Sequence, residues 1–180
     1  MYSSPNKKTF MSFNTFKDIV DKYDSTTTII QLEGGEPFTH PNLEGFLYYL
    51  TTGNYISIVD TNGTLLRDVT DKATIKVSLN TYILKYYKIS SLKRLNYFKK
   101  LQFNVRYSNL IEKIYLKLIT FSFRKQCNYH YFNKYGRASN KDLPELDIQD
   151  VYSNWEAYSS DGKCFKTNLK ERSEYEHIKD

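Results

Sequence analysis

The sequence predicts an α/β fold built on a parallel sheet, and three observations lead to this prediction. Short β-branched segments, which are typical of strands, recur along the chain. Segments with the apolar spacing of helices lie between them. No repeat or low-complexity tract interrupts the alternation. Strands separated by helices favour parallel pairing through right-handed crossovers, in either an open sheet or a barrel.

The first part of the chain alternates twice between helix and strand. The segment FMSFNTFKDIVDKY, residues 10–23, places its aromatic and aliphatic side chains on one helical face. The β-branched run TTTIIQL, residues 26–32, follows as a strand. Pro41 suits the first turn of a second helix that ends near Gly53, and the next strand is YISIVD, residues 55–60.

Three further strands and two helices are predicted in the middle of the chain. The segments TIKVSLN, QFNVRYS and YHYFNKY read as strands at residues 74–80, 102–108 and 129–135. Helical spacing of apolar residues covers residues 82–101 and 109–126, between these strands. The middle of the chain therefore continues the alternation of strand and helix.

The pattern changes after Gly136. The following residues are typical of a loop, and WEAYSSDGKCFKTN, residues 155–168, predicts a hairpin with an Asp-Gly turn. We therefore predict a core domain over residues 1–138 and a small extension over residues 139–180.

Composition limits the classes of protein to which the chain can belong. Its 180 residues and 21.3 kDa suffice for one ordinary domain with a buried core. The net charge of +6 is compatible with an anionic partner. The basic residues are scattered, however, and no nucleic-acid-binding motif accompanies them, so we expect no nucleic acid partner. The two cysteines exclude a disulfide scaffold. Without a spanning apolar run or a signal-peptide core, the sequence predicts a cytoplasmic protein and no membrane partner.

The stretch QLEGGEPFTHPNL carries the first candidate site. Gly34 and Gly35 end a predicted strand, and Glu36 follows them directly. Ligands of parallel α/β sheets bind at the carboxyl ends of strands, where glycine lets them approach the main chain. A carboxylate at that place accepts hydrogen bonds from an amine. On the residues alone, a tight turn with a solvated Glu36 is an equally good interpretation.

Three stretches resemble one known family. LEGGEPFTHPNL resembles the GGEP stretch that ends the second strand of radical S-adenosylmethionine enzymes. VDTNGTLL resembles the end of their third strand, and IKVSLN is similar to a fourth-strand pattern. The three stretches occur in the family's order, each at the end of a predicted strand. The resemblance implies a partial (β/α)6 TIM-like barrel that lacks its first strand and cluster loop, with residues 1–138 as its truncated core.

The resemblance also implies a cofactor site for S-adenosylmethionine. The two glycines and Glu36 would hold the amino group of its methionine moiety. Ser78 and Asn80 would lie near the ribose or carboxylate, although the family commonly has aspartate in place of Asn80. Arg137, in NKYGRA, would contact the cofactor carboxylate or an acidic substrate. The complete set of implied cofactor-binding residues is Gly34, Gly35, Glu36, Pro37, Thr61, Asn62, Ser78, Asn80 and Arg137.

The family's iron–sulfur ligands are not found in this sequence. In the family, a Cys-x-x-x-Cys-x-x-Cys loop after the first strand holds a four-iron four-sulfur cluster. This cluster reductively cleaves S-adenosylmethionine to a radical that acts on a substrate. Cys127 and Cys164 are too far apart in sequence to replace that loop. The expectation is an amino-terminally truncated product rather than a relic, inactive alone, with no catalytic or metal-binding residue.

The remaining features of the sequence have a functional and a structural interpretation. SDGKCF and NKYGRA resemble parts of the SPASM-type peptide maturases, which implies a precursor peptide as substrate and an electron donor for the parent enzyme. Cys127 is most simply a buried thiol. The three histidines lack metal-ligand spacing. The alternative function is a non-catalytic α/β binding module with an anionic or peptide partner.

Overall fold

The computed structural model describes residues 9–81, 83–85, 89–131 and 156–166. The chain divides into two compact units. The larger unit contains residues 24–132 with 1–3, and the smaller contains residues 4–23 with 133–180. The domain boundary at residue 138 stays a prediction.

The larger unit is built on five parallel strands that lie side by side in the order of the sequence. The strands are β1 (Ile29–Leu32), β2 (Ile56–Thr61), β3 (Thr74–Leu79), β4 (Gln102–Tyr107) and β5 (Cys127–Tyr131). The predicted α/β fold with a parallel sheet is therefore confirmed.

Four α-helices belong to the described part of the chain. They are α1 (Phe13–Val20) in the smaller unit, and α2 (Leu43–Thr52), α3 (Ile89–Lys93) and α4 (Leu110–Thr120) in the larger one. Side chains at its first turn fix where α4 begins. The Asn109 side chain accepts a hydrogen bond from the Glu112 amide at 2.9 Å, and the Glu112 carboxylate accepts one from the Ser108 amide at 2.7 Å.

A search of the described helices finds none with the length and hydrophobicity needed to cross a membrane.

The hydrophobic core of the larger unit lies on one face of the sheet. Alternate residues of the central strands are fully buried there, among them Val59, Ile75 and Phe103. Leu47 of α2 and Leu116 of α4 belong to the same cluster, which means that these helices cover the same face. Burial on one face alone explains the alternation of apolar and polar residues in these strands.

The opposite face of the sheet carries mostly polar side chains, and Ile29, Ile56 and Ile58 at the β1–β2 side of the sheet also lie on it. Residues on this face come from all five strands: Gln31, Asp60, Lys76, Ser78, Asn104, Arg106 and His130. The strand register pairs Asp60 with Lys76 and Arg106 with His130. Parallel strands that are covered by apolar layers on both sides read as nearly continuous hydrophobic runs, and these do not. The second face is therefore suited to contact polar groups.

The prediction of one helix over residues 82–101 is wrong. Within the described residues, α3 covers only five residues, and a 3-10 turn follows at Phe98–Lys100. The apolar side chains here recur every three residues, and the amides of Leu95, Phe98 and Leu101 each bond to the carbonyl three residues earlier. A spacing of three matches the 3-10 helix, whereas an α-helix would turn these side chains away from the core.

The smaller unit contains the predicted hairpin. β6 (Glu156–Tyr158) pairs antiparallel with β7 (Cys164–Lys166). Gly162 has φ of 81°, a left-handed conformation that favours glycine, and its amide bonds to the Ser159 carbonyl at 2.9 Å. The Asp-Gly turn in the sequence therefore identified this hairpin correctly.

Candidate functional site

A polar cavity lies at the carboxyl edge of the sheet in the larger unit. Its volume is about 130 Å³, and its lining residues come from β1 to β4 and the loops that follow them. These residues are Glu33, Gly35, Asp60, Thr61, Asn62, Ser78 and Arg106. The carboxyl edge is where ligands of parallel sheets bind.

The Glu36 carboxylate joins the loop after β1 to the end of β2. Its Oε1 accepts hydrogen bonds from the Phe38 amide at 3.1 Å and the Thr61 hydroxyl at 2.8 Å. Its Oε2 accepts from the same hydroxyl at 2.9 Å and from the Asn62 amide at 3.0 Å. Glu36 also caps a 3-10 turn at Pro37–Thr39. The carboxylate is therefore a structural link that shapes one wall of the cavity.

The stretch TNGT after β2 forms a turn held by its own side chains. The Gly63 amide donates to the Thr61 hydroxyl at 2.9 Å, and the Thr64 amide donates to Asn62 Oδ1 at 2.9 Å. Gly63 has φ of 81°, which a side chain would strain. This local network fixes the backbone that Thr61 and Asn62 present to the cavity.

The two glycines of the GGEP stretch are not required by backbone conformation. Neither Gly34 nor Gly35 has a positive φ. A Cβ added at Gly34 would meet no atom within 4 Å, so the chain itself leaves open space there. Gly35 lines the cavity directly.

Asp60 is the most unusual group in the cavity. It is only 8% exposed, and its Oδ1 atom finds no hydrogen-bond partner among the described residues. Its Oδ2 atom accepts a hydrogen bond from Gln31 Nε2 at 2.6 Å, and the same nitrogen donates to Glu33. Burial, followed by the negative charge of Glu33, raises the pKa of Asp60 to about 6. The positive charges of Lys76 and Arg106 oppose this rise only in part.

The structure brings together some of the predicted site residues and separates others. Four of them, Gly35, Thr61, Asn62 and Ser78, line the same cavity. Glu36 and Pro37 are not among the lining residues, and Pro37 is buried. Asn80 is not among the lining residues, and its Oδ1 atom accepts a hydrogen bond from the Ile83 amide at 2.7 Å. Gly34 borders open space, and Arg137 lies outside the described residues.

Sequence reasoning missed Glu33, Asp60 and Arg106, which supply the charges of the cavity. A signal for two of them was present in the alternation of the strands. In QFNVRYS, polar residues occupy every second position, and Arg106 is one of them. Asp60 ends YISIVD, where a strand buried on both faces would carry an apolar residue.

The residues present do not fit an iron–sulfur cluster. No group of three or more histidine, cysteine, aspartate or glutamate side chains among the described residues could hold a metal ion. Burial raises the pKa of the partly buried Cys127 thiol to about 11, which disfavours the thiolate that iron requires. Its Sγ–H donates to the Phe123 carbonyl at 3.6 Å, as expected for a structural thiol.

Comparisons with known proteins do not assign a family. No protein-family model matches the chain, and a search of curated proteins gives no match.

Proposed function

We propose that the larger unit binds S-adenosylmethionine as part of a radical S-adenosylmethionine-type core. The observation that carries the proposal is the cavity at the carboxyl edge of the sheet. Gly35, Thr61, Asn62 and Ser78 come from three separate stretches that resemble the family, and all four line that one cavity. The lining also contains carboxylates and a guanidinium, which suit the charged methionine end of this cofactor.

The sheet topology supports a barrel-type core. In a (β/α)6 barrel, neighbouring strands follow one another in sequence, helices cover the outer face, and the inner face holds the ligand. The five strands here follow one another in sequence, and the apolar core with its helices lies on one face. Under this proposal, β1 to β5 correspond to the second to sixth barrel strands, and the polar face is the inner one.

The proposed role of this chain is binding, without catalysis of its own. In the family, a cluster held by three thiolates supplies the electron that cleaves the cofactor, and the two cysteines here cannot provide that set. A precursor peptide substrate and an electron donor belong to the proposal only for a parent enzyme that carries such a cluster.

Binding of S-adenosylmethionine to the purified chain, measured by isothermal titration calorimetry, tests the proposal. Ser78→Val removes a hydroxyl from the lining and adds two methyl groups to a cavity of only about 130 Å³. We expect its affinity to fall about tenfold or more, which corresponds to the loss of about one hydrogen bond.

Thr74→Val is the matched control for this substitution. Thr74 lies on the same strand and the same face, but it is not among the residues that line the cavity. The Thr74→Val variant should bind S-adenosylmethionine with the same affinity as the parent chain. If the parent chain does not bind S-adenosylmethionine, or if both variants bind equally well, the proposal is wrong. The non-catalytic module with an anionic or peptide partner would then be the better interpretation.

Anaerobic reconstitution with iron and sulfide tests the absence of catalysis. We expect no stable cluster and no 5′-deoxyadenosine, because two thiols at positions 127 and 164 cannot form a three-thiolate site. A variant with both cysteines replaced by serine is the control. After reconstitution it should contain as much nonspecifically bound iron as the parent chain. Cluster absorbance or 5′-deoxyadenosine above that control would show that the ligands have been misassigned.

A further inference from the structure

We propose that the outer face of α4 binds an amphipathic helix of a partner protein, and that acidic residues flank the apolar face of that helix. The α4 surface consists of exposed apolar residues of α4 and of the residue that follows it. These residues are Leu110, Ile111, Ile114, Tyr115, Leu118 and Phe121. None of them lines the cavity at the carboxyl edge of the sheet, so the inference does not rest on the proposed function.

The α4 surface is larger than the apolar patches of most monomeric proteins. Its residues are between 52% exposed, at Tyr115, and 80% exposed, at Ile111. If a fully exposed large apolar side chain presents roughly 200 Å², the six residues together present about 750 Å². The largest patch on a typical monomer covers about 300 to 600 Å². A standard protein–protein interface covers about 800 Å² on each partner, which the α4 surface nearly reaches.

α4 is apolar on two opposite faces. Leu116 is fully buried and belongs to the core of the larger unit. Ile111, Ile114 and Leu118 lie on the outer face, at spacings of three and four residues. A helix that is hydrophobic all round is normally buried on both sides. Residues at these spacings form a ridge that packs into the groove of another helix, so an amphipathic helix is the expected shape of the partner.

The charge around the α4 surface is almost entirely positive. Residues 89–131 contain nine lysine and arginine residues and a single carboxylate, Glu112. This carboxylate accepts hydrogen bonds from the Ser108 amide and hydroxyl at 2.7 and 2.6 Å and from the Thr81 hydroxyl at 2.9 Å, so it is engaged at the start of the helix. Residues 24–81, by contrast, contain three basic and seven acidic residues. Complementary charge beside the α4 surface therefore has to be acidic.

Two lysines lie along one flank of the α4 surface. Lys113 Nζ lies 5.1 Å from the centre of the Tyr107 ring, and Lys117 Nζ lies 5.8 Å from that of the Tyr129 ring. The exposed Arg124 follows beyond the end of the helix. None of these three cations forms an ion pair with a carboxylate in the described part of the chain. Each is therefore available to an acidic side chain of the partner.

Two other occupants agree less well with these observations. A two-fold contact between the α4 surfaces of two copies would bring the same lysine flank of each copy to one interface, where like charges repel. A helix that lies in a membrane interface carries its basic residues on the face opposite the apolar one. In α4 that opposite face is packed in the core, where Leu116 is fully buried.

Titration of the full chain with two designed helical peptides tests the assignment. Each peptide has about 20 residues, which is long enough for a helix in isolation, and carries leucine along one face. One peptide has glutamate beside that face, and the other has lysine at the same positions. Measured by fluorescence anisotropy, the glutamate peptide should bind with micromolar affinity and the lysine peptide about tenfold more weakly or worse. This difference should shrink at about 1 M salt, because salt screens exposed charges.

Leu118→Ser removes the centre of the α4 surface. Leu118 is 70% exposed, so the variant should fold like the parent chain, as circular dichroism can verify. Its affinity for the glutamate peptide should fall about tenfold or more, as expected for a central contact residue. Leu65→Ser is the matched control, because Leu65 is a 49% exposed leucine outside the α4 surface. This control should bind the glutamate peptide as tightly as the parent chain.

Lys117→Glu tests the charge preference separately from the apolar contact. The substitution should weaken binding of the glutamate peptide and strengthen binding of the lysine peptide. The ratio of the two affinities should therefore fall about tenfold or more. A residue with only a structural role would change both affinities in the same direction.

Four results would overturn the inference. These are failure of the parent chain to bind the glutamate peptide, equal binding of the two peptides, equal losses in Leu118→Ser and Leu65→Ser, and an unchanged affinity ratio in Lys117→Glu. If the glutamate peptide does not bind, two further measurements identify the occupant. Cosedimentation with phosphatidylglycerol vesicles that Leu118→Ser abolishes would assign the α4 surface to a membrane. A dimer in sedimentation equilibrium that Leu118→Ser abolishes would assign the α4 surface to a second copy of the chain.

Discussion

Replacing Asp60 by asparagine is expected to stabilise the folded chain at neutral pH by up to about 3 kcal/mol. The pKa of Asp60 is raised from 3.8 to about 6 in the folded state, chiefly by burial. This difference is about two pKa units, and one unit corresponds to about 1.4 kcal/mol. Asparagine has the same shape, can still accept the hydrogen bond from Gln31, and carries no charge that burial would penalise.

The stabilisation should itself depend on pH, in a direction that follows from the raised pKa. Between pH 3.8 and about 6 the folded chain binds more protons at Asp60 than the unfolded chain does. The contribution of Asp60 to stability is therefore complete below pH 3.8 and is lost as pH rises through 6. The difference in unfolding free energy between Asp60→Asn and the parent should be near zero at pH 3.5 and largest above pH 7.

Urea denaturation at several pH values measures this difference. Asp18→Asn is a suitable control, because Asp18 is an exposed carboxylate of α1 and its replacement should change stability by less than about 0.5 kcal/mol. A destabilised Asp60→Asn variant at pH 7 would contradict the prediction. It would mean that the interactions of the ionised carboxylate outweigh the cost of its burial.

Phe103→Ala is expected to have the largest destabilising effect, about 3 to 5 kcal/mol. Phe103 lies on the interior strand β4 and is fully buried. Its ring centroid lies 5.5 Å from that of Phe98 and 5.0 Å from that of Phe123, and these two rings are 5.2 Å apart. Removal of one ring would leave a cavity in a cluster that joins the sheet to the turns before β4 and β5.

Phe121→Ala provides the matched control for this prediction. Phe121 is a nearby phenylalanine that is 66% exposed, so its truncation should change the unfolding free energy by no more than about 0.5 kcal/mol. Both variants can be compared with the parent by urea denaturation monitored by circular dichroism. Equal effects of the two substitutions on the unfolding free energy would show that the aromatic cluster contributes less to stability than expected.

Local sequence signals predicted most elements of the fold. β-branched runs identified β1 to β3, and the Asp-Gly turn identified the hairpin of β6 and β7. The failure came in residues 82–101, where a spacing of three was interpreted as an α-helix. The period of a 3-10 helix and that of an α-helix differ little over a few residues. Only the packing of Leu92, Leu95 and Phe98 in the core distinguishes the two kinds of helix.

The sequence predicted the position of the candidate site better than its chemistry. The GGEP and TNGT stretches marked the carboxyl edge, because glycine and small polar residues reveal loops where strands end. They could not reveal that Glu36 is bonded to Thr61, which is 25 residues away. Nor could they identify the unpartnered oxygen of Asp60, since burial and hydrogen bonding depend on neighbouring strands. Long-range pairing, which a local pattern does not contain, determined these features.

The contrast between the two faces of the sheet also restricts how the strands can align. If β3 slipped by one residue against β2, every side chain of β3 would turn to the opposite face. Lys76 and Ser78 would then enter the apolar core, and Ile75 and Val77 would be exposed on the polar face. Such an arrangement would bury a charge without a partner, so the folding chain would be strongly biased against it. The polar residues that form the cavity thereby also help to select the one strand alignment in which the cavity exists.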